Sequence, residues 1–229
     1  MADVQKPIHD LLPAPVYHAI ERHLIRAGHR AEEGFSSGAE DEDTLTGDML
    51  RPFRHQRTTP IPIDGQRWIW RVRTRKFAGH GEGATEHLVG ADGIVQIEIS
   101  SSRQVVLRKS ILFQAKKNWR HRDGDLIHQA TLMEAAAPLG SVVFNYASDR
   151  YTAVASNLLI HSSGRPTELP LKRLGEFLAT DFLNCSVGRF DTYFNWDPEG
   201  LVLAGAEPSF YMLYPHFLVA IQVESEAKS

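Results

Sequence analysis

Gln114 and Lys116 stand two residues apart in the segment KSILFQAKK, Lys109–Lys117, just after the apolar run SILF. If that segment is a strand, both side chains project to one face while Phe113 and Ala115 take the other. An uncharged amide beside an ammonium is an unusual pair to bring to the edge of a core. Asp92 lies in G-A-D-G at the mouth of the apolar strand IVQIEI, so Asp92 and Gln114 can meet on adjacent strands. Glu42, on a helix upstream, can approach the same point. Carboxylate and amide oxygens beside a lysine could hold a hard divalent cation and offset negative charge growing on a substrate.

The helix carrying Glu42 is signalled by Ser37 and Glu40, an S-x-x-E capping box, and Pro52 would end it. Glu42, Leu45 and Met49 then share a face (i, i+3, i+7), while Glu40 and Asp43 point elsewhere. An acid that looks toward the core is costly unless its charge is compensated. A shifted helix register would put Glu40 or Asp43 in its place, and Glu98, at even spacing from Asp92, competes for the acid role.

Around these residues the chain reads as alternating elements. Pro13 or Pro15 opens a helix over 13–30, with Val16, Ile20, Leu24 and Ile25 at helical spacing. Arg67–Phe77 alternates apolar and basic residues as a half-buried strand does. A glycine-rich loop, GHGEGATEHLVGADG, leads to Ile94–Ser100 and Val105–Lys117, two strands about a tight turn at Ser101–Gln104. A helix is predicted over Asp125–Ala137, stopped by Pro138, then strands at Ser141–Tyr146 and Tyr151–Ile160 and a helix at Pro170–Asn184. Phe210–Leu213 and Phe217–Val223 read as strands, or as one strand and a connector. With no repeat, linker or composition break, the expectation is a single α/β domain over 1–229, a central mixed sheet flanked by helices. Its core would be about 37–146, with residues 151–229 as a C-terminal extension of helix and strands.

Of 229 residues, 42% are hydrophobic and the formal net charge is −3, so any nucleic-acid site has to be a local patch. One patch is visible. Lys117, Arg120, His121 and Arg122 surround Trp119, and Arg103, Arg108 and Lys109 lie on or beside the hairpin. A basic strip with an aromatic inside it can track phosphates and stack a base. Cys185 is the lone cysteine, which excludes an internal disulfide and fits a reducing compartment. The polar start MADVQKPIHD and the lack of a long apolar run point to a cytoplasmic protein without a membrane span. The eleven histidines, His80 and His87 among them, form no H-x-x-x-H pair, and no C-x-x-C or phosphate-loop motif occurs.

The order of a helix acid (Glu42), G-A-D-G (Asp92), Q-A-K 22 positions later (Gln114, Lys116) and a following helix with Gln129 resembles the PD-(D/E)xK nuclease superfamily. The likeness is to its Q-x-K variants and covers about 37–146. It implies a restriction-endonuclease-like core running helix, three strands, helix, strand, and Mg²⁺- or Mn²⁺-dependent hydrolysis of phosphodiesters. Asp92 would be the chief metal ligand, Glu42 a second, and Gln114 a neutral one through its carbonyl oxygen. Lys116 would orient or help deprotonate water, and Gln129 would support the site. The implied substrate is DNA more than RNA. The implied setting is a bacterial restriction or antiviral-defence endonuclease, as a homodimer or a subunit of a defence complex. The neutral Gln114 keeps a second reading open, a non-cleaving nucleic-acid-binding or protein-interaction subunit on the same fold. An RNase or DNase effector switched on by a ligand or partner is a third.

Overall fold

A computed structural model describes residues 7–35, 41–56, 58–77, 88–162, 164–203 and 213–227. Ser37, Glu40, His80 and His87 lie outside them. The N-terminal elements are α1 (Ile8–Leu11), α2 (Ala14–Glu33) and α3 (Glu42–Phe53), followed by β1 (Ile61–Ile63) and β2 (Gln66–Lys76). The hairpin β3 (Gly93–Ser101) and β4 (Gln104–Lys117) comes next, then α4 (Gly124–Ala136), β5 (Ser141–Tyr146) and β6 (Tyr151–Ala155). The remainder comprises α5 (Ser156–His161), β7 (Lys172–Arg173), α6 (Leu174–Phe177), β8 (Tyr193–Trp196), β9 (Glu199–Val202) and β10 (Phe217–Ala227).

Eight strands form one mixed sheet in the order β1-β2-β10-β3-β4-β5-β6-β7. The pairs β10/β3 and β4/β5 are parallel and the others antiparallel. One face packs on α2, α3 and α6 through Ile20, Leu24, Leu45, Met49 and Phe182 against Trp70, Val95, Phe113 and Phe144. The other face carries Leu112, Val143 and Val154 against Leu126, Ala130 and Met133 of α4, with Phe194 of the β8–β9 hairpin. The protein is thus an α/β molecule whose large mixed sheet is flanked by helices.

Three expectations are corrected. The C-terminal stretch is no extension: β10 lies in the middle of the sheet, antiparallel to β2 and parallel to β3 over Phe217–Ser225. Its unbroken burial from Phe217 to Val223 is what a strand covered on both faces requires. The expected strand Tyr151–Ile160 stops at Ala155, because its partner β5 runs out at Val142 opposite Ala155. The chain then turns helical and buries Leu159. The expected helix Pro170–Asn184 is divided. Lys172 and Arg173 pair with β6, and α6 runs into a wider π turn at Leu178–Phe182. Gly175 of α6 lies against α2 so closely that a Cβ there would stand 2.7 Å from the Leu24 carbonyl oxygen.

Lys109, expected in the basic strip, is instead fully buried on the α2–α6 side of β4. Its ammonium donates to the Phe182 carbonyl and lies 4.5 Å from the Phe182 ring centroid. Burial drives its pKa down to about 8, with the Cys185 sulfur pulling the other way. The unfolded chain therefore keeps this proton up to about pH 10.4 while the folded chain releases it earlier. Between about pH 8 and about pH 10 that difference makes stability rise with pH. In urea titrations, Lys109→Met should lack this rise relative to the parent protein.

Candidate active site

Beyond Phe113, β4 outruns its partner. β3 begins at Gly93, opposite Phe113, and the Asp92 N–H closes the ladder onto the Phe113 carbonyl at 2.9 Å. Odd-numbered residues of β4 turn their backbone groups toward the β3 side, so the N–H groups of Ala115 and Lys117 face outward with no strand to meet them. Two carboxylates take that role. Asp92 Oδ2 accepts from the Ala115 N–H at 2.7 Å, and Glu42 Oε1 accepts from the Lys117 N–H at 3.0 Å. The two N–H groups stand roughly 6.6 Å apart along the strand, so both acids are lined up on one edge.

Each acid is held by its surroundings. Asp92 sits between two glycines whose packing admits no side chain. A Cβ on Gly90, at φ +71°, would lie 2.3 Å from the Gln129 carbonyl oxygen, and one on Gly93 would lie 2.4 Å from the Phe113 ring. The Asp92 carbonyl also accepts from the Phe217 N–H at 3.0 Å, which ties it to β10. Glu42 is the first residue of α3, capped by Asp41, whose side chain accepts from Thr44 N at 2.6 Å. The Thr46 hydroxyl donates to the Glu42 carbonyl at 2.8 Å and lies 3.3 Å from the hydroxyl of Tyr146. Tyr146 is fully buried. Burial first, and then the charges of Asp92 and Glu42, push its phenol far up, so it stays neutral. The neighbouring acid Asp43 points away, paired with Lys76 and with His216 at 2.6 Å. Those partners outweigh burial and hold Asp43 below the ordinary carboxylate range. Glu98, the competing acid, pairs with Arg108 at 2.7 Å.

Gln114 and Lys116 share the α4 face of β4. Gln114 is 4% exposed; its Nε2 donates to the Ala115 carbonyl at 3.3 Å, and its Oε1 has no hydrogen-bond partner among the described residues. A buried acceptor left unsatisfied is uncommon. Lys116 Nζ stands 3.2 Å from Asp123 Oδ2 and 4.0 Å from Glu42 Oε1. Burial lowers its pKa, but Glu42, Asp123 and Asp125 outweigh it and the net shift is upward. Lys116 is therefore an ammonium, suited to donating and to offsetting charge rather than to taking a proton. Asp123 was not among the expected site residues. It caps α4, accepting from Leu126 N at 3.0 Å, and so fixes Lys116 from the far side. Its signal in the sequence is an Asp before a helix start, which marks caps in general and no site in particular.

Gln129 reaches the site through its backbone, pressed on Gly90 behind Asp92. The basic strip survives only in part. Arg120 and Arg122 are exposed on the loop leaving β4, and Lys117 is half-buried. Trp119 is 4% exposed and packs with the α4 core. The Asn145 side chain clamps its backbone N–H at 2.9 Å and its carbonyl at 3.4 Å. Because the chain turns at Asn118, φ +51°, the indole points inward where it cannot stack on a base. Arg108 lies eight residues before Lys116 along β4, roughly 26 Å away, paired with Glu98 and 4.8 Å from the Tyr193 ring centroid.

Among the described residues, no group of three or more His, Cys, Asp or Glu is placed to hold a metal ion. The donors on offer are two carboxylates and the unpartnered Gln114 Oε1, hard oxygens of the kind Mg²⁺ takes. Two substitutions test how the site is held. Gly90→Ala should cost about 2 kcal/mol or more through its positive φ and the clash with Gln129, and Asp123→Ala about 1 kcal/mol through removal of the cap, both read from denaturant midpoints. No protein-family model, curated protein or solved structure matches this chain.

Proposed function

We propose that this chain is a metal-dependent nuclease of the PD-(D/E)xK type in its Q-x-K form, with a restriction-endonuclease-like core. The observation that carries the reading is the seating of Asp92 and Glu42 on successive outward N–H groups of the strand bearing Gln114 and Lys116. Asp92, Glu42 and Gln114 Oε1 would hold Mg²⁺ or Mn²⁺. When bound, such an ion neutralises charge on the phosphate and acidifies water. The backbone donors at Ala115 and Lys117 orient the two carboxylates before substrate arrives, which limits reorganisation during the reaction. Lys116, kept as an ammonium, donates to the attacking water or to a phosphate oxygen and offsets charge in the transition state. Gly90 and Gln129 hold the Asp92 loop against α4. DNA is the preferred substrate of this reading, and defence of a bacterial cell by endonucleolytic cleavage its biological setting, with the protein acting in the cytoplasm as a homodimer or within a larger complex. Among the described residues no helix is long and apolar enough to cross a membrane.

The neutral Gln114 favours one second reading, a nucleic-acid-binding or protein-interaction subunit that does not cut. A cleavage assay on plasmid, linear DNA and RNA in Mg²⁺, Mn²⁺ or EDTA separates them. The nuclease reading expects cutting that EDTA abolishes and that Lys116→Ala and Asp92→Ala each reduce about 100-fold or more. Cutting that persists in EDTA or in either variant would sink the mechanism. Nucleic-acid binding with no cutting in either metal would favour the non-cleaving subunit, and activity only with an added ligand or partner would mark a switched effector.

A further inference from the structure

The strip around Trp119 leaves the nuclease reading short of a surface for the substrate backbone, and a different part of the molecule supplies one. Just after α3, His55 forms an isolated antiparallel bridge with Val72 of β2, its N–H on the Val72 carbonyl at 3.0 Å and the reverse bond at 2.8 Å. That register sets Arg54 opposite Arg73 and Gln56 opposite Arg71. Like charges directly across an antiparallel pair destabilise it, and a third arginine lies two residues along the same strand face. All three arginines line a cavity of about 270 Å³ together with His55, Gln56, Val72 and Thr74, with no carboxylate among those lining residues. Arg71 is already engaged: its Nε donates to Gln222 Oε1 at 2.8 Å and its Nη2 pairs with Glu224 Oε1 at 3.1 Å, and with Arg73 it also lines an adjoining cavity that carries Glu98, Glu224 and Glu226. Arg73 lies 5.2 Å from the Trp196 ring centroid, an approach that leaves its charge intact. Among the described residues, neither Arg54 nor Arg73 has an acidic partner.

We infer that Arg54, Arg71 and Arg73 form a phosphate-binding cleft that holds the backbone of a nucleic-acid substrate away from the bond being cut. The clustered cations and the polar walls call for an anion, and the planar fork of arginine matches phosphate oxygens in pairs. Arg71 and Arg73, at successive positions on one strand face, can follow a repeating backbone rather than a single ion. Lys76 of β2 is level with Phe217 of β10 and through it with Gly93 of β3, beside Asp92. Arg73 is three residues from Lys76, which puts the cleft roughly 14 Å from the Asp92 loop, at about 3.3 Å per residue and about 4.8 Å per strand. That is a span of a few nucleotides. The assignment of the anion to nucleic acid rests on the nuclease reading; the presence of an anion site does not.

The test is fluorescence anisotropy of labelled single-stranded and duplex DNA in EDTA, where nothing is cut, across a salt series. The double variant Arg54→Ala/Arg73→Ala should bind on the order of tenfold more weakly at low salt. Its log–log salt slope should be shallower by roughly 1.4 to 1.8, since each phosphate that an arginine neutralises adds about 0.7–0.9 to the slope. Lys116→Ala should fail to cut in Mg²⁺ while its salt slope falls by no more than about 0.9, the share of a single phosphate contact. In phosphate-free buffer the double variant should melt no lower than the parent, and inorganic phosphate should raise the melting temperature of the parent alone. Parental affinity and slope in the folded double variant would overturn the cleft while leaving the nuclease reading standing. If the parent neither binds nor cuts nucleic acid, yet phosphate stabilises it through these arginines, the nucleic-acid assignment falls together with the nuclease reading.

Discussion

A strand that extends past its neighbour exposes backbone donors that have to be satisfied, and here they lie against the core, where leaving them unpaired would be costly. Ala115 and Lys117 are in that position, and the protein answers with side-chain carboxylates in place of another strand. Much of the surrounding structure serves that arrangement. Asp92 can reach Ala115 only because Gly90 lets its loop press onto the α4 backbone and Gly93 lets the Phe113 ring lie over the start of β3. Glu42 can reach Lys117 only if the first turn of α3 stays at the sheet end, where Asp41, Thr46, Tyr146 and the pairing of Asp43 with Lys76 and His216 hold it. The same bonds that complete a truncated ladder thereby set two acids along one edge of the strand that carries Lys116.

Charge balance makes the arrangement tolerable. Lys116 is shared between Glu42 and Asp123, so acids gathered at one end of the sheet do not face each other uncompensated. Lys109, on the opposite face of the same strand, is the contrasting case. With a carbonyl, an aromatic ring and a thiol beside it, and no carboxylate paired with it among the described residues, burial prevails and its proton is loosely held. Two lysines seven residues apart on one strand thus have opposite shifts, set by whether carboxylates are in reach.

What could be read from the sequence follows a physical line. Period-two and helical patterns located β2, β3, β4, β5, α2 and α4 to within a few residues, because local geometry and burial agree there. The facing of Glu42 with Leu45 and Met49 was legible for the same reason, with α3 starting at Glu42 behind its Asp41 cap. Contacts between residues distant in sequence were not legible. Nothing local announces that Phe217–Ala227 enters the sheet between β2 and β3, or that Gly175 meets Leu24 across two helices. Trp119, Arg108 and Lys109 looked like one basic strip because they are close along the chain. A turn at Asn118 and the alternation of strand faces send them to a core, a surface ion pair and a buried pocket. Asp123 escaped notice because a helix cap and a lysine partner have the same one-letter signature.

The central position of β10 also bears on how the molecule comes together. Its partners lie more than a hundred residues earlier in the chain, and such pairings are slow to form because the intervening loop has to close before any contact rewards it. Until residues 217–227 dock, β3 has a neighbour on one side only and its other edge is open, a surface on which strands of other chains can add. The Phe217 N–H that holds the Asp92 carbonyl arrives with the same strand. The acid at the centre of the site therefore gains its final anchor only when the sheet closes, which couples the ripening of the site to the slowest pairing in the topology.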